Sequence, residues 1–359
     1  MEIYSEENRP DAIVYPDATS LPIRPGQLIR VKRTDVLFPE AASDFEATNE
    51  LRDVLEGMRL RGINDRGFVP DINEVNRFGI IQGAGPVVNE ILRRYVEIAR
   101  TMYDDGRQFG ARPEYNFQGF SQEGVNATYS HYGLYHATSV QASKNRQYRD
   151  YLMNQGQGLL GSRHGFFVNP ISTSVGIVCS DGVLFVSRSN DVADYPNMLH
   201  TPAAGHHRPV ADETVSVREL INQQVVTETG ISEENISNPR LNCVAFACGN
   251  RFPGTEKVEL AGSIKVNATA AEVYDMLIKH ASHKWETHRL CQVDKEDLPR
   301  LISDTENATS GSTIALPYAT ILGHPEENLS ARACDDGATS NSGSYWVPVG
   351  LVAMRNMTV

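Results

Sequence analysis

Cysteine is scarce: Cys179, Cys243, Cys248, Cys291 and Cys334 make five, an odd number with no Cys-x-x-Cys pair. That scatter argues against a disulfide framework and against a cysteine-based zinc site. Cys243 and Cys248 lie in strand-like runs and read as buried structural thiols. Positive charge is also in deficit, with 33 Lys and Arg against 45 Asp and Glu and a net charge of -12. A field of that sign repels nucleic acid and anionic lipid, so neither is expected as a partner. The arginines between 24 and 33 and the pair Arg93-Arg94 read as solvated surface. A small phosphorylated ligand remains compatible, because a few local cations suffice for it. No apolar run approaches the length needed to cross a bilayer. The opening MEIYSEENRPDAIVYPD lacks the basic-then-apolar layout of a secretory or mitochondrial leader, which makes the cytoplasm the expected location.

What is present is a composition of 40% hydrophobic and 22% charged residues over 359 positions, enough to bury a real core in one elaborated domain or two. Residues 1–35 read as loops with one or two strands, one of them at Gln27 to Val31. Phe45, Leu51, Val54, Leu55 and Met58 have helical spacing, which predicts a helix over 43–60. Gly83-Ala84-Gly85-Pro86 then precedes a helix carrying Val88, Ile91, Leu92, Tyr95, Val96 and Ala99. A Gly-x-Gly before a helix can cradle phosphate, but without a third glycine a plain turn and cap is the favoured reading. Tyr115 to Tyr135 is an aromatic-rich strand region and Gln141 to Tyr151 reads as one basic, polar helix; a small β-rich layer with its aromatics in the core is the favoured reading, a lid or substrate-selecting wall the alternative. His131 and His136 have poor metal spacing and read as polar surface groups.

The chain centres on residues 205–231, GHHRPVADETVSVRELINQQVVTETGI, a loop entering a helix from about Glu213 and stopped by Gly230. Val217, Leu220, Ile221 and Val225 form its apolar side, while Gln224, Thr227 and Glu228 share a polar face by i, i+3, i+4 spacing. Asp212 and Glu213 sit where a helix dipole favours acids. Before the loop, Ser174 to Val178 and Val183 to Val186 flank a Ser180-Asp181-Gly182 turn and predict a hairpin. After it, Leu241 to Ala247 and Lys257 to Ile264 predict two strands and Ala270 to Ala281 a helix, with Trp285-Glu286 following.

Residues 223–231, QQVVTETGI, fall onto R-E-U-x-E-E-x-G-U, the end of the Nudix box, where U is a bulky aliphatic. With its flanks over roughly 145–300 the chain resembles the Nudix superfamily. Tyr148-Arg149-Asp150-Tyr151-Leu152 and the Arg188-Ser189, Ala193 and Pro196 pattern are most similar to its UDP-sugar diphosphatase branch. The resemblance implies an α/β/α sandwich with a mixed sheet over 146–303, preceded by an α+β region over 1–145 and followed by a loop-rich tail over 304–359.

It also implies magnesium-dependent hydrolysis of a nucleoside diphosphate derivative. In that family three helix glutamates hold the metal; here the last is Glu228, whereas the others have become Gln224 and Thr227 and the arginine position is Gln223. Glu219, Glu259 and Glu286 are the acids placed to compensate as metal ligands or catalytic groups. Arg188, His206, His207 and Arg208 are candidate phosphate contacts, with at most one of the adjacent histidines facing the ligand, and Gln224 can bind substrate through its amide. The alternative is a Nudix-fold module that binds a nucleotide or a protein without hydrolysis, favoured by Gln224 and Thr227.

Overall fold

The computed structural model describes residues 12–15, 28–31, 50, 53, 85–105, 113–121, 124–161, 163, 165–188, 197–207, 214–248, 256–281, 287–306, 308–309, 312–335, 342–344, 346, 353–355 and 357. The strands are β1 (Ala12–Tyr15), β2 (Leu28–Val31), β3 (Pro113–Ser121), β4 (Gly124–His131), β5 (Ile171–Val178), β6 (Val183–Arg188), β7 (Leu199–His200), β8 (Ala203–His206), β9 (Thr214–Ser216), β10 (Ile236–Cys248), β11 (Glu256–Val266) and β12 (Thr287–Val293). They continue with β13 (Ala308–Thr309), β14 (Thr313–Ile321), β15 (Asn328–Arg332), β16 (Cys334–Asp335) and β17 (Ser342–Ser344). The helices used below are α1 (Gly85–Asp104), α2 (Arg146–Leu160), α3 (Val217–Thr229), α4 (Ala270–His280) and α5 (Leu298–Glu306).

The main sheet runs β1-β10-β11-β5-β6-β12-β14-β15, with β7 added on β6 and β8 on β5. It is mixed, because β11 and β5 are parallel whereas β5 and β6 are antiparallel. Side-chain alternation along β5 and β6 builds two cores. Ile171, Val175, Ile177, Leu184 and Val186 pack with Leu220, Ile221 and Val225 of α3 and Val273 and Leu277 of α4. Val178, Val183 and Phe185 pack on the other face with Leu298 and Leu301 of α5 and with Trp346. Helices on both faces of a mixed sheet give the expected α/β/α sandwich.

The predicted hairpin is β5 and β6, held at its turn by Ile177 opposite Leu184 and Val178 opposite Val183. Beyond that the two strands part. Ser172 to Val175 pair instead with β8, and Val186 and Ser187 with β7, so the β7-β8 segment wedges into the open end of the hairpin. β10, β11 and α4 form where the sequence predicts them, α4 behind a capping box of Thr269 and Glu272.

The second sheet, β3-β4-β2-β9, and a helical layer complete the described N-terminal part. In α1 the predicted residues Val88, Ile91, Leu92, Tyr95, Val96 and Ala99 are all buried. They pack against a short helical run over Tyr132–Tyr135, a π turn over His136–Val140 and α2. The single helix expected over 141–151 is interrupted: Gln141–Lys144 ends at Asn145, whose side chain accepts from the Tyr148 N–H at 3.0 Å and caps α2. His136, expected at the surface, is 5% exposed and packs its ring 4.4 Å from that of Tyr132. The predicted helix over 43–60 lies outside the described residues except for positions 50 and 53, both helical.

The segment after Asp304, expected as loops, contributes β14 and β15 to the main sheet. Its polar residues belong to strands that are partly solvated: in β14 Leu316, Ala319 and Ile321 are buried, whereas Thr313, Ala315, Pro317 and Thr320 are exposed, across a register shift between Ala315 and Thr320. Trp346 is fully buried, donates its indole N–H to Thr305 Oγ1 at 2.6 Å, and lies beside Leu199 in an isolated bridge. Among the described residues no helix is long and apolar enough to cross a membrane.

Candidate functional site

The site is set by where α3 begins and ends. It starts at Val217 rather than near Glu213, because Thr214–Ser216 form a strand and Ser216 is the N-cap. Ser216 Oγ accepts from the Glu219 N–H at 3.1 Å and Glu219 Oε2 accepts from the Ser216 N–H at 2.7 Å, a closed capping box. These hydrogen bonds to the charged form hold the Glu219 carboxyl below the usual carboxylate range. At the other end Gly230 takes φ 71°, the left-handed cap. Burial of Val217, Leu220, Ile221 and Val225 fixes the helix against the sheet, each contributing roughly 1.5–3 kcal/mol before entropy is counted.

That orientation turns Gln224 and Glu228 toward the open end of the hairpin, 6% and 8% exposed. The Gln224 amide donates to Glu228 Oε1 at 3.1 Å. Facing them is Gly205 of β8, where an added Cβ would stand 2.7 Å from Gln224 Nε2, so glycine there leaves room for the amide. Thr173, register partner of Gly205 on β5, bonds His207 Nε2 through its hydroxyl at 3.1 Å. Thr227 is partly buried on the same helix, and Gln223 is exposed.

Successive strand residues point to opposite faces, and this separates the candidate phosphate contacts. His207, on the side of Thr173, belongs to the α3 face. His206 points away from it and places Nδ1 2.9 Å from Glu114 Oε1 of β3. Arg188 continues the alternation of Leu184 and Val186 on the α3 side, and its buried Nε has no hydrogen-bond partner among the described residues. A buried guanidinium N–H with nothing to donate to is the kind of group that receives a phosphate oxygen.

Glu259 does not join Glu228. Its neighbours Val258 and Leu260 face the α3 core, whereas its own fully buried carboxylate accepts hydrogen bonds from Ser172 and Ser174 on the other side of the sheet. The exposed Glu219 serves its cap at the far end of the helix from Glu228. Arg208, Asp212, Glu213 and Glu286 lie outside the described residues.

A second group of potential metal ligands, His324, Glu326 and Glu327, is exposed on the β14-β15 turn, where Arg289 already engages Glu327 at 2.8 Å. Sequence reasoning did not find Glu114 or Thr173: each sits in an ordinary strand, and only pairing across strands brings it to a histidine.

No protein-family model and no curated protein matches the chain. Among solved structures it is similar to an Ap4A hydrolase from C. elegans, at 14% identity over 31% of this chain and 88% of that one, with a TM-score of 0.19. It is also similar to a NUDIX family hydrolase from Clostridium perfringens, at 15% identity over 37% and 85%, with a TM-score of 0.21. A third is a bifunctional NMN adenylyltransferase/ADP ribose pyrophosphatase from Francisella tularensis complexed with AMP and a manganese ion, at 12% identity over 44% of each chain and a TM-score of 0.24. Likenesses at these identities and scores fix neither family nor activity, and the fold class rests on the chain's own mixed sheet and flanking helices.

Proposed function

We propose that the α3 face at the open end of the β5-β6 hairpin binds a nucleoside diphosphate derivative, and that the chain is a divergent member of the Nudix superfamily. The buried Gln224–Glu228 pair carries this reading, since it occupies the first and last acidic positions of the motif that residues 223–231 resemble. Arg188 supplies a donor on the same side for the phosphate oxygens, and His207, bonded to Thr173, lies on that side as well. A UDP-sugar is the ligand suggested by the finer resemblance around Tyr148 to Leu152 and Arg188.

Magnesium requires oxygen ligands, chiefly carboxylates, and keeps several waters. The helix brings one carboxylate to this face, and Gln224 turns its nitrogen rather than its oxygen toward that carboxylate. With Glu219 in the cap and Glu259 on the opposite face, the described residues do not fit a magnesium centre. Binding without hydrolysis is therefore the favoured reading. Hydrolysis to UMP and a sugar 1-phosphate is the second, favoured by the buried Glu228 at its motif position and by Asp212, Glu213 and Glu286 near the same segments in sequence.

The test is calorimetric titration of UDP-glucose into the full chain with and without magnesium, following UMP release in the same samples. Binding without UMP release supports the module. Magnesium-dependent release abolished by Glu228→Gln establishes the hydrolase. Neither binding nor release would overturn the nucleotide reading altogether.

A further inference from the structure

The second sheet holds both walls of the α3 face, one at each end of its strand order β3-β4-β2-β9. At one end, β9 pairs with β2 through Thr214 opposite Arg30, Val215 opposite Ile29 and Ser216 opposite Leu28. Ser216 is also the N-cap of α3, so this pairing fixes where the helix starts. Gln224 lies roughly 12 Å further along the helix axis.

At the other end, β3 reaches the strand that carries Gly205. The Tyr115 N–H donates to the His207 carbonyl at 3.4 Å, the Phe117 N–H to the Asn169 carbonyl at 2.7 Å, and Asn116 Oδ1 accepts from the Asn169 N–H at 2.8 Å. Glu114 completes the hold, with Oε1 2.9 Å from His206 Nδ1. A carboxylate oxygen accepts, so this bond places the imidazole proton on Nδ1 and fixes the ring. Glu114 is 4% exposed, and a hydrogen bond shielded from water is the stronger for it. Strand β8 needs that hold, because it is four residues long and, among the described residues, pairs along one side with β5. On the α3 side Gly205, next to His206, is closely packed: an added Cβ would stand 2.7 Å from Gln224 Nε2. A small displacement of β8 therefore reaches the Gln224 amide and, through it, Glu228 Oε1 at 3.1 Å.

We infer that Glu114 is a positioning residue of the α3 face: through His206 it sets β8, and with it the gap between Gly205 and Gln224. The N-terminal sheet is then the frame of the site, holding one wall by β3 and the other by β9. The positioning is independent of any ligand, whereas its consequence for affinity rests on the nucleotide reading.

The test reads the Gln224 side-chain amide by proton–nitrogen NMR in the full chain labelled at glutamine, its signals assigned by their loss in Gln224→Ala. Glu114→Leu removes the acceptor for Nδ1 and should shift these signals, whereas Glu114→Gln keeps an acceptor oxygen and should leave them in place. Gly161→Ala strains a helix cap where an added Cβ meets nothing within 4 Å, so it lowers stability away from β8 and should leave them in place too. His206→Leu breaks the same bond from the partly exposed side and decides the question if Glu114→Leu fails to fold. Calorimetry with UDP-glucose adds an affinity readout, in which Glu114→Leu should weaken binding by about fivefold or more and Glu114→Gln by less than about twofold. No binding to the wild-type chain would overturn the nucleotide reading, and the NMR shifts then judge Glu114 by themselves. Gln224 signals unmoved in a natively folded Glu114→Leu or His206→Leu chain, or moved equally by Glu114→Gln or Gly161→Ala, would overturn the inference. So would UDP-glucose affinity undiminished by Glu114→Leu where the wild type binds.

Discussion

Gln224 donates its amide N–H to Glu228 Oε1 at 3.1 Å, one helical turn apart and both buried. A carboxylate at 224 could not make that bond. Two ionised groups at i and i+4 repel, and only a cation between them would restore the balance.

Gln224→Glu should therefore destabilise the protein, by about 1–3 kcal/mol in the absence of metal. Added magnesium should raise the melting temperature of the variant by several degrees more than that of the wild type, since a ligand held only by the native state stabilises it. Thermal melts with and without magnesium chloride check this. An equal response in both proteins would show that position 224 does not control metal affinity.

Gly205→Ala should displace Gln224. The new methyl would stand 2.7 Å from Nε2, the far end of a flexible side chain that has little buried room to retreat. A loss of about 1–2 kcal/mol is expected. In a Gln224→Ala background the same change should be nearly neutral, and a double-mutant cycle by urea denaturation measures the coupling.

Gly230→Ala and Gly161→Ala form a matched pair, with φ of 71° and 68°. At Gly161 an added Cβ meets nothing within 4 Å, so backbone strain alone should cost about 1 kcal/mol. At Gly230 it would stand 2.7 Å from the Met276 carbonyl oxygen and 2.9 Å from the Ala281 nitrogen, and rigid backbone cannot yield cheaply. Denaturation curves should show the Gly230 variant losing clearly more stability than the Gly161 variant.

The capping box of α3 predicts an acid dependence. The Glu219 carboxyl is held down by hydrogen bonds from Ser216, so its stabilisation is fully present above the ordinary value of 4.5 and is lost as pH falls through the depressed folded value. Ser216→Ala should cost about 1 kcal/mol at pH 7. The stability difference between wild type and Glu219→Gln should be constant above 4.5 and shrink below it. A gap that widened on acidification would contradict the capping role.

Cys179 and Cys291 are buried, and burial pushes both thiols up to about 12. Neither should be alkylated in the native protein at about pH 8, and both should react once it is unfolded. Mass spectrometry after iodoacetamide treatment reads this directly.

Elements whose signals are local were legible in the residues alone. The apolar period of α1 and α3, the glycine stop at Gly230, the Ser180-Asp181-Gly182 turn and the strands flanking it depend on neighbours a few residues away. The face shared by Gln224 and Glu228 followed from helical spacing for the same reason. Local signals also misled: the acids at 212 and 213 suggested a helix start, whereas Ser216 caps it because Thr214–Ser216 pair with β2.

Which acids meet was settled by the assembled fold. Glu259 reads from sequence as near the site, yet strand alternation and the parallel pairing of β11 with β5 send it to the serines on the other face. His206 and His207 are adjacent in sequence and divide between the two faces of the sheet, one to Glu114 and one to Thr173. Those partners lie 92 and 34 residues away along the chain. Sequence periodicity specifies which residues share a side of one element, but which side faces which partner is fixed by register between strands, and register is a property of the whole sheet.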